Sequence, residues 1–166
     1  MITTPEEYKT HLLLLNNQNA PQFAILNPDE KVYKIDLNTR VVEAPKFLSV
    51  LEDHRSETIY FEIDRFYDYM DLAKTACVIQ YINAKGAAGV YVVPFYDINT
   101  LAQNNKMLLP WNISGLVSEA AGKIQFSFFF YSIDLELKDG KYEYIYNYRL
   151  NTQIAISEVL KGLPTS

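Results

Sequence analysis

Two histidines, one cysteine and one dense acidic run are the places in this chain where side-chain chemistry could begin. Nucleophilic catalysis requires an activated serine or cysteine with a base beside it. His11 falls on a predicted helix and His54 in a polar loop, and no G-x-S-x-G elbow occurs. Cys77 sits inside the apolar run ACVIQYI with no candidate base near it in sequence. A lone cysteine makes neither an internal disulfide nor a zinc site, so a buried structural thiol is expected there. The run DRFYDYMD (64–71) gathers Asp64, Asp68 and Asp71. On a helix these carboxylates could hold a hard cation through oxygen ligands. The run follows a strand and lacks the glycine turn of a calcium loop, so loop caps and an ion pair through Arg65 are expected instead. No phosphate-cradling glycine motif is present, and nothing selects a pair of acids for glycoside hydrolysis. The expectation is a chain with no catalytic residues, no metal and no cofactor.

Composition narrows the partners. At 166 residues the chain fits one domain and can bury a sizeable core without staples. A net charge of −5 argues against nucleic-acid binding, which depends on neutralising phosphates. No apolar run approaches the roughly 20 residues that cross a bilayer. Leu12–Leu15 is too short for a signal-peptide core and follows two glutamates, so a protein made in a cytoplasm, with no membrane partner, is expected. Asn112-Ile113-Ser114 matches a glycosylation sequon and is read as chance. Thirteen tyrosines and nine phenylalanines suit sheets, because aromatic rings fit pleated, half-buried surfaces.

The elements follow from punctuation and period. Thr4-Pro5-Glu6-Glu7 is a helix start, and a short helix over about residues 5–15 would put Tyr8, Leu12 and Leu15 on one face. Residues 1–30 thus read as a helix-and-linker arm that either folds back on its own domain or docks on a neighbour. From Lys31 the period is two. Strands are expected at 31–37, 40–43, 56–64, 75–83, 90–94 and 106–111, with Pro110 at an edge. The 75–83 run is apolar on both parities, as in a central strand covered on both faces. Residues 122–133 and 141–149 form the last clear pair, and 152–160 is read as a strand. The fold class expected is all-β: an antiparallel β-sandwich over 31–166 with a short N-terminal helical arm.

KYEYIYNYR (141–149) sets a tyrosine at every second position. Asp139-Gly140 is a strong two-residue hairpin signal. It pairs Leu137 with Tyr142, Leu135 with Tyr144, Ile133 with Tyr146 and Tyr131 with Tyr148, all on one face. Earlier in the strand the apolar residues Ile124, Phe126, Phe128 and Phe130 have the opposite parity. The buried face is therefore expected to switch near Phe129–Tyr131, through a bulge or because the strand leaves the core. The distal hairpin, about residues 131–148, is expected to project beyond the main domain. Its face could be a sugar platform, with Trp111 as a further aromatic, or a protein interface. Strict alternation with a single tryptophan favours the interface, where tyrosine contributes large area at low entropy cost.

Several blocks in order carry a resemblance: YKIDLNTR (33–40), EAPKFLSV (43–50), DHRSETIYFEIDRFYDYMDL (53–72), CVIQYIN (77–83), VPFYDI (93–98), KMLLPW (106–111) and EAAGKIQFSF (119–128). Their order resembles the N-terminal β-sandwich domain of structural proteins from tailed phages of Gram-positive bacteria. That group includes baseplate upper proteins and head or tail fibres. The resemblance spans about residues 31–162. It implies a non-enzymatic virion component that assembles with itself and with other virion structural proteins, on the head, neck or tail baseplate. It has no catalytic residues to carry over. Relatives commonly continue into coiled-coil or receptor-binding regions and often lack the residue 1–30 extension. A chain ending at Ser166 is therefore expected to be a small adaptor or decoration protein. The alternative is a sandwich that binds a host surface glycan.

Overall fold

Eight of the nine expected segments hold strands, and β2, β4 and β5 are additional, so that the described residues form eleven: β1 (Val32–Lys34), β2 (Ser49–Val50), β3 (Thr58–Asp64), β4 (Phe66–Tyr67), β5 (Met70–Asp71), β6 (Ala76–Ile82), β7 (Ala88–Val93), β8 (Lys106–Asn112), β9 (Gly122–Lys138), β10 (Lys141–Asn151) and β11 (Ala155–Leu160). The structure, a computed structural model, describes residues 31–55, 57–94 and 105–162. The arm of residues 1–30, with Tyr8, Leu12 and Leu15, lies outside the described residues.

The described chain is mostly β and forms three sheets. One has three strands in the order β1-β3-β8, one has six built on the path β2-β11-β9-β6-β7 with β10 beside β9, and β4-β5 is a small hairpin. Asp68 and Tyr69 link that hairpin with φ of 47° and 67°, the left-handed pair a tight primed turn requires. Most pairings are antiparallel, but β1 runs parallel to β3 and β2 parallel to β11. The uniformly antiparallel expectation fails at these two short edge strands. Residues 40–43 also do not form a strand. Asp36 closes an Asx turn by accepting from the Asn38 amide at 2.8 Å, and only Val42 returns, bridging Ile35. Pro110 sits within β8, an edge strand, where a missing N–H can face outward at no cost to the ladder.

The two larger sheets share one core. Phe61 and Trp111 from the three-stranded sheet meet Phe128 and Phe126 of the six-stranded sheet at ring-centroid distances of 4.8 and 5.2 Å. All four rings are fully buried. Such tilted and edge-to-face rings add attraction beyond their buried area. Gly89 opens room for this layer: a Cβ there would lie 2.5 Å from the Tyr81 ring, which packs against Trp111 at 5.9 Å.

On one flank of β9, β10 and β11 make a nearly continuous antiparallel line. β10 pairs as far as Asn151 with Phe129, and β11 resumes with Ala155 opposite Phe126. The extra residue is absorbed at Thr152–Ile154. There the Thr152 amide donates to the Phe128 carbonyl at 3.0 Å, and the Thr152 Oγ1 accepts from the Phe128 amide at 2.9 Å. A hydroxyl thus replaces the missing backbone carbonyl of the ladder.

Candidate assembly surface

β9 is longer than the sheet it belongs to. Its last partner on β6 is Tyr131, opposite Ala76, and beyond it β9 pairs only with β10 among the described residues. Residues 132–147 therefore project as a two-stranded ribbon, as the sequence pattern predicts. Asp139 and Gly140 close it with φ of 51° and 77°. The ladder pairs Tyr142 with Leu137, Tyr144 with Leu135 and Tyr146 with Ile133, in the expected register.

The fourth expected pair does not form. A bulge at Asn147 shifts the register, so Tyr148 meets Ser132 and Arg149 meets Tyr131. The bulge turns Tyr148 to the other side of the ribbon, where its ring packs against the core. Burial disfavours the phenolate, and the net effect of its surroundings is a hydroxyl held above its ordinary pKa. The face of eight residues is thus a face of seven positions: 131, 133, 135 and 137 on β9, and 142, 144 and 146 on β10. Leu137 and Tyr142 at its tip are 59% and 42% exposed. The opposite parity carries Ser132, Glu136, Lys138 and Glu143, the last two an exposed ion pair at 3.8 Å.

β9 itself contains no bulge, so its inward parity runs unbroken from Ile124 through Phe130. Tyr131 belongs to the outward parity and continues downward into Phe129, with which it stacks at 5.1 Å. The ribbon face is consequently an extension of the outer face of the six-stranded sheet, and the apolar side changes because the strand leaves its core. Arg149 lies over the Phe129 ring at 4.8 Å. This outer face was not singled out from the sequence. Its exposed members Ile82, Val90, Val92, Ile154 and Ile156 are scattered over three strands and a connection.

The base of the ribbon is anchored by the turn after β1. Arg40, at φ 66°, donates through Nη1 to the Asn151 carbonyl at 2.9 Å. Gln153 returns its amide to the Arg40 carbonyl and its Nε2 to the Thr39 carbonyl, both at 2.8 Å.

Of the residues weighed for chemistry, His11 lies outside the described residues, and Asp64, Asp71 and His54 have structural partners. Arg65 grips Asp71 with two parallel bonds of 2.9 Å, and Asp71 also caps the short turn Leu72–Lys74 by accepting from the Ala73 amide. Burial opposes the Asp71 carboxylate, but Arg65, the Ala73 amide and Lys74 outweigh it and hold its pKa below the ordinary value. Asp64 pairs with Lys106. The ion pair expected through Arg65 is therefore present, and among the described residues no group of three metal-ligating side chains occurs. His54 accepts from the Gly115 amide at 2.6 Å, fixing a loop. Cys77 is fully buried, which pushes its thiol pKa far up. Trp111 is wholly inside the core, so it is not an exposed sugar platform. Asn112 of the sequon donates its amide to Thr58 Oγ1 at 3.1 Å, and the Ile113 beside it is buried. No helix among the described residues is long and apolar enough to cross a membrane.

No family model and no curated protein matches the chain. Among solved structures it is similar to the N-terminal domain of phage TP901-1 ORF48, with a TM-score of 0.42 and 10% identity, over 80% of this chain and 98% of that one.

Proposed function

We propose that this chain is a non-enzymatic structural protein of a bacteriophage virion, a β-sandwich adaptor or decoration module that joins copies of itself or other virion proteins. The observation that carries the reading is the β9–β10 ribbon. A lone two-stranded ribbon is marginal in water, and this one sets four tyrosine and two leucine positions on one face, with Leu137 and Tyr142 exposed at its tip. Contiguous apolar surface of that kind marks an interaction site. The shared core of the two larger sheets supports the sandwich, and the ordered sequence blocks between residues 33 and 128 support the virion assignment.

Incorporation into particles tests it. Tyr144→Ala combined with Tyr146→Ala, supplied in place of the natural chain during infection, is expected to reduce its incorporation into virions about tenfold or more, as loss of a central aromatic contact does at other interfaces. Unchanged incorporation would remove the ribbon from assembly. Glycan binding that disappears in the same variant, with incorporation intact, would instead favour the sugar-binding alternative.

A further inference from the structure

The outer face of the six-stranded sheet holds a groove of about 380 Å³ below the ribbon. Ile82, Val90 and Ile154 bound it, and Gln80, Gln125 and Ser127 are among the other residues that line it. The three aliphatic side chains are 45%, 62% and 67% exposed. β6, which runs beneath it, has the double-sided apolar sequence of a strand covered on both faces, yet on its outer side Val78 is buried while Gln80 and Ile82 stay exposed.

We infer that this groove is the docking site of the chain's own N-terminal segment, residues 5–15, through Tyr8, Leu12 and Leu15. Residues 1–31 precede β1, which lies on the edge of the other sheet. Sheets stack about 10 Å apart and strands lie about 4.8 Å apart, so the path from that edge to the groove is about 20–30 Å. Residues 16–30 span up to about 50 Å when extended, enough to reach it. Tyr8, Leu12 and Leu15 follow i, i+4, i+7 spacing, and in the helix expected from the sequence they would extend over about 10 Å. Val90 and Ile154 stand about three strand spacings apart, roughly 14 Å, so the apolar stripe fits between the rims. The tyrosine hydroxyl suits a floor of amides and a serine hydroxyl. A short tether gives a local concentration in the millimolar range, so this docking needs only weak intrinsic affinity and no second copy. The inference does not depend on the ribbon.

Disulfide trapping in the full chain tests it, and the buried Cys77 thiol leaves the background silent. Leu12→Cys with Val90→Cys is expected to close within one chain, independently of protein concentration. It should close at least about tenfold faster than Leu12→Cys with Lys34→Cys, although Lys34 lies nearer the tether. Equal rates would overturn the proposal, and so would cross-links only between chains, which would mean that the arm docks on a second copy. A readout free of disulfide geometry is thiol labelling of Val90→Cys. It should rise several-fold when Leu12→Asp and Leu15→Asp are added, and unchanged labelling would overturn the proposal equally. The ribbon is read by particle incorporation and this groove by intrachain proximity, so the two readings can fail separately.

Discussion

Asp71 accepts from Arg65 through both oxygens and from the Ala73 amide, which makes an acid from the densest acidic run a structural element. Charge-assisted, bidentate bonds of this kind are among the stronger polar contacts a surface can make. Asp71→Asn is expected to cost about 1–2 kcal/mol in urea unfolding at pH 7. The folded-state pKa of Asp71 is depressed, so its contribution is fully present above the unfolded value of about 3.9 and is lost as pH falls through the lower folded value. The gap between wild type and variant should therefore be flat from pH 7 to about 5 and narrow below about 4. A gap that widened in acid would contradict this account. The pairing was legible because Arg65 and the three aspartates share eight residues after a strand. His54 was not: its partner, the Gly115 amide, is 61 residues away and leaves no local mark.

The strands were legible where alternation and turn chemistry agree. Asp139-Gly140 fixed the ribbon's tip, and three tyrosine pairs follow from it. The bulge at Asn147 went unread, although a signal for it exists. Phe130 pairs with Leu150 in the core while Leu137 pairs with Tyr142 at the tip, and the two registers differ by one residue. Two registers on one ribbon require an extra residue between them. β1 falls in the strand expected at 31–37, but its parallel pairing and the whole of β2 were beyond local reading, because two residues carry no period and the partners are distant in sequence. At the next irregularity, Thr152→Val keeps the β-branch but removes the hydroxyl that accepts from Phe128. It should destabilise by about 1–3 kcal/mol, since a buried amide loses its partner. Gly89→Ala should cost about 1–3 kcal/mol by pressing a methyl into the Tyr81 ring, and markedly less in a Tyr81→Leu background, because the two sites are coupled. Additive losses in thermal or urea unfolding would show that Gly89 serves another purpose.

Across the whole molecule, the outer face of the large sheet carries aliphatic side chains around a polar-floored groove, then Phe129 beneath Arg149, then Tyr131 at the root of the ribbon, with the aromatic core on the other side of the sheet. The sequence made the ribbon half of that face visible, since alternating tyrosines announce it. The sheet half was hidden, because Ile82, Val90 and Ile156 share a face only after four strands, β7, β6, β9 and β11, pair. The proposal that the ribbon joins copies or partners is open to a solution test. Sedimentation velocity of the purified chain beside Leu137→Lys with Tyr142→Lys addresses it most directly. Both substituted residues are exposed at the tip, so the fold should tolerate the change, and an unaltered far-ultraviolet circular dichroism spectrum checks that. The wild type is expected to sediment as an oligomer at tens of micromolar and the double variant as a monomer, because charges buried at an apolar contact are costly. A monomeric wild type, or an oligomer untouched by the two lysines, would contradict it.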